Sequence, residues 1–188
     1  MTTSLTVDQI VHLFEQAGTR LYGGEAITQT EHALQAAWFA EKSGADDCLI
    51  IACLLHDLGH MLFEQNDDDL AQGKDDRHES RVLPYLSGIL PSDVTGAIRL
   101  HVDAKRYLCH QDKTYHATLS EASKLSLALQ GGPMDAENAA LFVAQPQALR
   151  AIELRRYDDA AKIVGLSVPP LAYYLPRLMT LIEKTSVQ

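Results

Sequence analysis

The 188-residue chain is poor in the features that announce a partner or a compartment. Cysteine is scarce: Cys48, Cys53 and Cys109 have no paired spacing and form no metal knuckle, which excludes a disulfide framework and a thiolate zinc site. Cys48 and Cys53 fall in an apolar run and read as small hydrophobes, and the odd, unpatterned count fits a reducing compartment. Lys and Arg number 16 against 25 Asp and Glu, a net charge of -9. With no basic cluster longer than a pair such as Arg155-Arg156, no nucleic-acid footprint is expected, and the acidity reads as solubility. No apolar run approaches about 20 residues, so no membrane span is expected. Residues 1–9 lack the basic and apolar regions of a signal peptide, which makes the expected location cytoplasmic. Alternating apolar and polar runs, the mark of half-buried strands, are missing as well.

What remains is helical periodicity. The length suits one domain with a real core of its own, and one all-α domain over residues 1–188 is the expectation. Ile10, Leu13, Phe14 and Ala17 recur at helical spacing over residues 5–17, and Gly18 follows as a stop. Gly23-Gly24 makes residues 21–27 a loop. Thr28 with Glu31 forms a capping box, and Ala33, Ala36, Ala37 and Ala40 behind it allow close packing. Gly44 ends that helix, and Asp46 or Asp47 caps the next. Further helices are expected over residues 77–86 with Asp76 as cap, from Pro91 to about Cys109, from Ser120 to the Gly131-Gly132-Pro133 stop, over 135–144 and over 146–164. A last segment follows Pro169-Pro170, with Leu171, Leu175, Leu178 and Leu181 as its stripe. Residues 66–76, with Asp67-Asp68-Asp69 and Asp75-Asp76, read as a solvated surface stretch, because the ligand spacing and closing Glu of a calcium loop are absent.

Residues 54–60, Leu-Leu-His-Asp-Leu-Gly-His, stand apart. His56 and Asp57 close an uncharged apolar run, and polar groups at the end of a buried helix cost free energy unless something binds them. A cation is the simplest reason: the two oxygens of Asp57 can serve two ions, and an imidazole can hold one. Gly59 marks the turn that would present the pair and His60. His32, His78 and His101 fall on other expected helices, as does the acidic pair Asp158-Asp159. Two ions in a helical bundle need about this many N and O donors from facing helices. A donor set rich in imidazole suits iron or another transition ion better than magnesium. His12, His110 and His116 lie outside the pattern and read as ordinary surface or core residues. Spacing does not choose between Asp158 and Asp159. Lys105 lies one turn beyond His101 on the same helix face, which fits either a solvated lysine or a cation aimed at an anionic ligand.

The adjacent His56-Asp57 with these partners resembles the HD-domain superfamily of metal-dependent helical enzymes, and most closely its branch of oxygen-activating diiron proteins. The similarity runs from about residue 21 to residue 159. It implies an HD-type helical bundle holding two iron ions as a mixed-valent Fe(II)/Fe(III) pair. His32, His56, Asp57 and Asp158 would hold one iron and Asp57, His78 and His101 the other, with Asp57 as the bridge. The resemblance also implies roles for Tyr22 as a displaceable iron ligand, Glu25 as the receiver of a substrate ammonium, and Lys105 aided by His60 as the countercharge of a phosphonate. Ser123, Ser126 and Gln130 would lie along the substrate. The implied activity uses dioxygen to cleave the C–P bond of 2-amino-1-hydroxyethylphosphonate, giving glycine and phosphate. The trimethylammonio analogue, giving glycine betaine, is one alternative, and an HD-type phosphohydrolase is the other. Glu25 offers directional acceptors suited to a primary ammonium, whereas a trimethylammonium group is usually held by aromatic faces, and this favours the primary amine.

Overall fold

In the computed structural model the described residues are 4–63 and 75–187, and they contain helices and no strand, as expected. The helices are α1 (Val7–Gln16), α2 (Gln29–Lys42), α3 (Asp47–Leu55), α4 (Leu58–Leu62), α5 (His78–Arg81), α6 (Leu83–Leu86), α7 (Ser92–Gln111), α8 (Tyr115–Thr118), α9 (Glu121–Leu129), α10 (Ala136–Val143), α11 (Ala148–Ala160) and α12 (Leu171–Ser186). The capping signals do what their chemistry predicts. Thr28 and Glu31 close a reciprocal capping box on α2, and Asp46, rather than Asp47, accepts from Leu49 N to start α3. Gly44 follows α2 with φ +79°, a left-handed conformation that glycine adopts without a Cβ penalty.

Helix α3 is apolar all round, and Leu49 to Leu55 are buried on every side, as such a helix must be. It packs against α2, α7, α11 and α12, while α7 and α11 lie along each other. Ala33, Ala36, Ala37 and Ala40 line the buried side of α2 and let its backbone come close to α3 and α11. Each fully buried Leu or Ile of this core contributes about 1.5–3 kcal/mol relative to exposure. Helix α12 closes the bundle with Tyr174, Leu178 and Leu181 facing inward.

Three elements depart from the sequence-based expectation. Residues 77–86 form two short helices, α5 and α6, meeting at Val82, with Pro84 in the first turn of α6. Arg77 precedes α5 in a left-handed conformation at φ 52°, and Asp76 turns its carboxylate to histidine side chains. The helix expected over 146–164 stops at Ala160, because the Ala161 carbonyl accepts from His32 and Ile163 pairs by both backbone groups with the Gln35 amide. Gly59 lies inside α4 rather than at a turn: a Cβ there would sit 2.4 Å from the His78 carbonyl oxygen. Of the acidic stretch 66–76, only Asp75 and Asp76 fall within the described residues.

Candidate metal centre and substrate pocket

The break between α3 and α4 falls at His56 and Asp57, and it puts both side chains at the middle of the bundle. His32 reaches them from the first turn of α2, His78 from the start of α5, His101 from α7 and Asp158 from the last turn of α11. His32, His56, Asp57, His101 and Asp158 are all at most 4% exposed, and His78 is 6% exposed.

The hydrogen bonds of the imidazoles fix where their protons are. His32 Nδ1 faces the Ala161 carbonyl at 2.8 Å, His56 Nδ1 the Cys53 carbonyl at 2.8 Å, and His101 Nδ1 the Ile98 carbonyl at 2.7 Å. Carbonyls only accept, so each Nδ1 carries the proton. His78 Nδ1 donates in the same way to Asp76 Oδ1 at 3.0 Å. The four Nε2 atoms are the ring nitrogens left to bind; they point inward and meet in pairs: His32 with His56 at 3.2 Å, and His78 with His101 at 3.2 Å. Two lone pairs that close repel unless a cation or proton lies between them. This donor chemistry fits a pair of bound metal ions.

Asp57 lies between the two pairs and gives one oxygen to each. Its Oδ2 is 3.3 Å from His56 Nε2 and 3.6 Å from His32 Nε2, while its Oδ1 is 3.2 Å from His78 Nε2 and 3.7 Å from His101 Nε2. Asp158 adds Oδ1 at 3.4 Å from His32. His32, His56 and Asp158 are close enough to hold a metal ion, and so are Asp57, His60 and His78. His101 Nε2 lies beside this set as well, 3.2 Å from His78 Nε2 and 3.7 Å from Asp57 Oδ1. His60 Nε2 lies 3.9 Å from Asp57, and its Nδ1 approaches Asp76 Oδ2 at 2.8 Å, off the N–H axis.

Electrostatics agrees with this division. Burial pushes His32 down to about 4, and burial together with the neighbouring His78 lowers His101, so both present neutral lone pairs at neutral pH. Burial also opposes charge on His56 and His78, but Asp57 outweighs it and raises both. Asp57, for all its burial, is held well below the usual carboxylate range by His56 and His78.

Above the centre is a pocket that brings together every other residue expected at the site. Tyr22 stacks on the His32 ring at 3.8 Å, and its hydroxyl reaches Asp158 Oδ1 at 3.5 Å. Lys105 is 2% exposed, and its Nζ donates to Ser126 Oγ at 2.7 Å. Glu25 and Gln130 line the pocket, and each has a buried Oε1 with no hydrogen-bond partner among the described residues. Asp158 is separated from Asp159 as well: Arg155 Nη1 pairs with Asp158 Oδ2 at 2.7 Å, whereas Asp159 turns away to Arg155 Nη2 and the Tyr115 hydroxyl. His12, His110 and His116 are exposed and take no part.

Three contributors are not among the residues expected from the sequence. Asp76 accepts from the His78 backbone N–H at 3.4 Å, as a cap would, but it also holds the His78 ring and contacts His60, which its place in an acidic run does not announce. Arg155, 4% exposed, enters the sequence reading only as half of a basic pair. Lys162 lines the pocket and donates to Ser123 Oγ at 3.0 Å. An Arg three residues before one acidic residue and four before the next was the available signal for Arg155. Nothing local marked Lys162.

A bundle that gathers an adjacent His-Asp at its centre defines a class, and the chain belongs to it: the family described as HD domain matches residues 30–158. Within that family the chain is similar to two dioxygenases. One is 1-hydroxy-2-(trimethylamino)ethylphosphonate dioxygenase (glycine-betaine-forming) of Leisingera caerulea, 38% identical over 178 residues, covering 95% of this chain and 91% of the relative. The other is hydroxymethylphosphonate dioxygenase of Gimesia maris, 41% identical over 180 residues, covering 94% of this chain and 88% of the relative. An uncharacterized protein of Acanthamoeba polyphaga mimivirus is 38% identical over 171 residues, covering 89% of this chain and 78% of that protein. No helix among the described residues is long and apolar enough to cross a membrane.

Proposed function

We propose that the chain is a dioxygenase of 1-hydroxylated phosphonates that holds two iron ions, a mixed-valent Fe(II)/Fe(III) pair, and cleaves the C–P bond. The observation that carries this reading is Asp57 offering one oxygen to each of two inward-facing imidazole pairs, directly beneath a pocket walled by Lys105, Arg155 and Lys162. His32, His56, Asp57 and Asp158 would hold one ion, and Asp57, His78 and His101 the other. Such a pair supplies the electron steps that side chains lack. The chain's own residues bind and orient. Lys105 is buried, and its hydrogen-bond partner among the described residues is a hydroxyl, so a phosphonate oxygen would give it a charged one. Tyr22 and His60 stack on the ligand histidines and close the two sides of the pocket floor. Ser123, Ser126 and Gln130 form the wall along which the substrate lies. The overall change balances without a further reductant: hydroxyphosphonate and dioxygen contain together the atoms of a carboxylate product and inorganic phosphate.

The names of the relatives favour the trimethylammonio substrate, or a substrate with no amine, over the primary amine expected from sequence. One observation keeps 2-amino-1-hydroxyethylphosphonate as the second reading. The buried Glu25 Oε1 lacks a donor, and Tyr22 is the only aromatic ring besides histidines among the described residues of the pocket, so no cage for a trimethylated group is present there. The test is anaerobic purification with iron analysis, then oxygen uptake and phosphate release with all three hydroxyphosphonates. Close to two irons per chain and oxygen-dependent phosphate release are expected. Full-rate hydrolysis of a phosphoester without oxygen would transfer the protein to the phosphohydrolases of its family.

A further inference from the structure

We propose that Lys162 is a specificity-determining residue, an internal stand-in for the substrate's ammonium that decides how well the pocket takes aminated phosphonates. The inference rests on the phosphonate reading above and deepens it. Lys162 leaves the chain just beyond α11, and its Nζ is held by Ser120 Oγ at 3.3 Å and Ser123 Oγ at 3.0 Å, two hydroxyls at the start of α9. It lies 5.9 Å from the centre of the Tyr22 ring and 3.9 Å from Glu25 Oε1. Both side chains are largely buried, Lys162 at 12% and Glu25 at 22% exposure. Glu25 Oε1 has the lysine near it but no hydrogen bond from it.

This geometry makes the Glu25 end of the pocket close to neutral. A substrate cation that enters there gains the carboxylate but meets Lys162 as a like charge, and in a partly buried site both effects are stronger than in water. A phosphonate without an amine meets no such conflict, and the Lys162 charge adds to that of Lys105. Removal of the Lys162 charge should therefore shift preference toward aminated ligands by about tenfold, the size of one partly screened charge contact.

The test compares wild type with Lys162→Met and Lys162→Arg, the latter retaining the charge. Calorimetry on the metal-loaded protein measures the affinities for 2-aminoethylphosphonate and methylphosphonate, which lack the hydroxyl and bind without turnover. Lys162→Met should raise the ratio of the two affinities in favour of the amine, and Lys162→Arg should leave it near the wild-type value. The ratio of kcat/KM for 2-amino-1-hydroxyethylphosphonate over hydroxymethylphosphonate should move the same way. An unchanged affinity ratio in a folded Lys162→Met protein overturns the proposal. Absence of oxygen uptake with every phosphonate overturns the dioxygenase reading instead, while the binding ratio still decides the role of Lys162.

Discussion

A single methyl group at Gly59 tests how the second half of the centre is held. The Cβ of Gly59→Ala would lie 2.4 Å from the His78 oxygen, 2.9 Å from its carbonyl carbon and 3.0 Å from its Cα. All three are backbone atoms, so no flexible side chain can turn aside. Ordinary contact requires α5 to retreat by roughly 1 Å. Metal–ligand distances tolerate about 0.2 Å, so the displaced His78 no longer completes its set. Overpacking of this kind costs about 1–3 kcal/mol. For a chain of this size that lowers Tm by roughly 2–12 °C. Metal content per chain and differential scanning calorimetry read both effects. Metal should be lost first from the Asp57, His78 and His101 side, with the His32, His56 and Asp158 side retained. Gly165→Ala is the control: its φ of +73° makes it strained, but nothing lies within 4 Å of its added Cβ, so its cost of about 1–2 kcal/mol should come without metal loss. Full metal content and an unchanged Tm in Gly59→Ala would refute the reasoning.

Further expectations concern the charges of the site. Asp57→Ala should abolish both metals and His78→Ala preferentially one, as read by metal analysis; equal loss in the two variants would refute the division. Burial, followed by Arg155, holds Lys105 down to about 7, so above that pH it must take up a proton when a dianion binds. Affinity for methylphosphonate should accordingly fall as pH rises, by up to about tenfold per unit, whereas Lys105→Arg should lose this slope; parallel pH profiles for the two proteins would refute it. Glu25→Gln should cost a primary-amine substrate about 1.5–3 kcal/mol in kcat/KM and spare hydroxymethylphosphonate; equal losses on both would remove Glu25 from amine recognition.

Much of the bundle was legible because its signals are local. The Thr28–Glu31 box, the Asp46 cap and the uncharged α3 act within a few residues, and the structure repeats them. The six candidate metal ligands were legible because histidines that end helices or adjoin Asp57 are unusual and because the family pattern ordered them. The supports were not legible. Asp76 is distinguished from its acidic neighbours only by the two imidazoles it meets, and Lys162 only by a carboxylate 137 positions earlier in the chain (162 against 25). The choice of Asp158 over Asp159 needed Tyr115, which lies 44 residues away from the carboxylate it binds. Gly59 reads as a turn because a glycine required by a close backbone approach looks the same in sequence as one required by a turn.

The chain order of the ligands has a consequence for biosynthesis. A growing polypeptide exposes its N-terminal elements first. Asp57, His78 and His101 are all present once α7 has emerged, whereas the set begun by His32 and His56 waits for Asp158 near the end of α11. The half of the centre whose residues begin earliest in the chain is thus the last to have all of them synthesised.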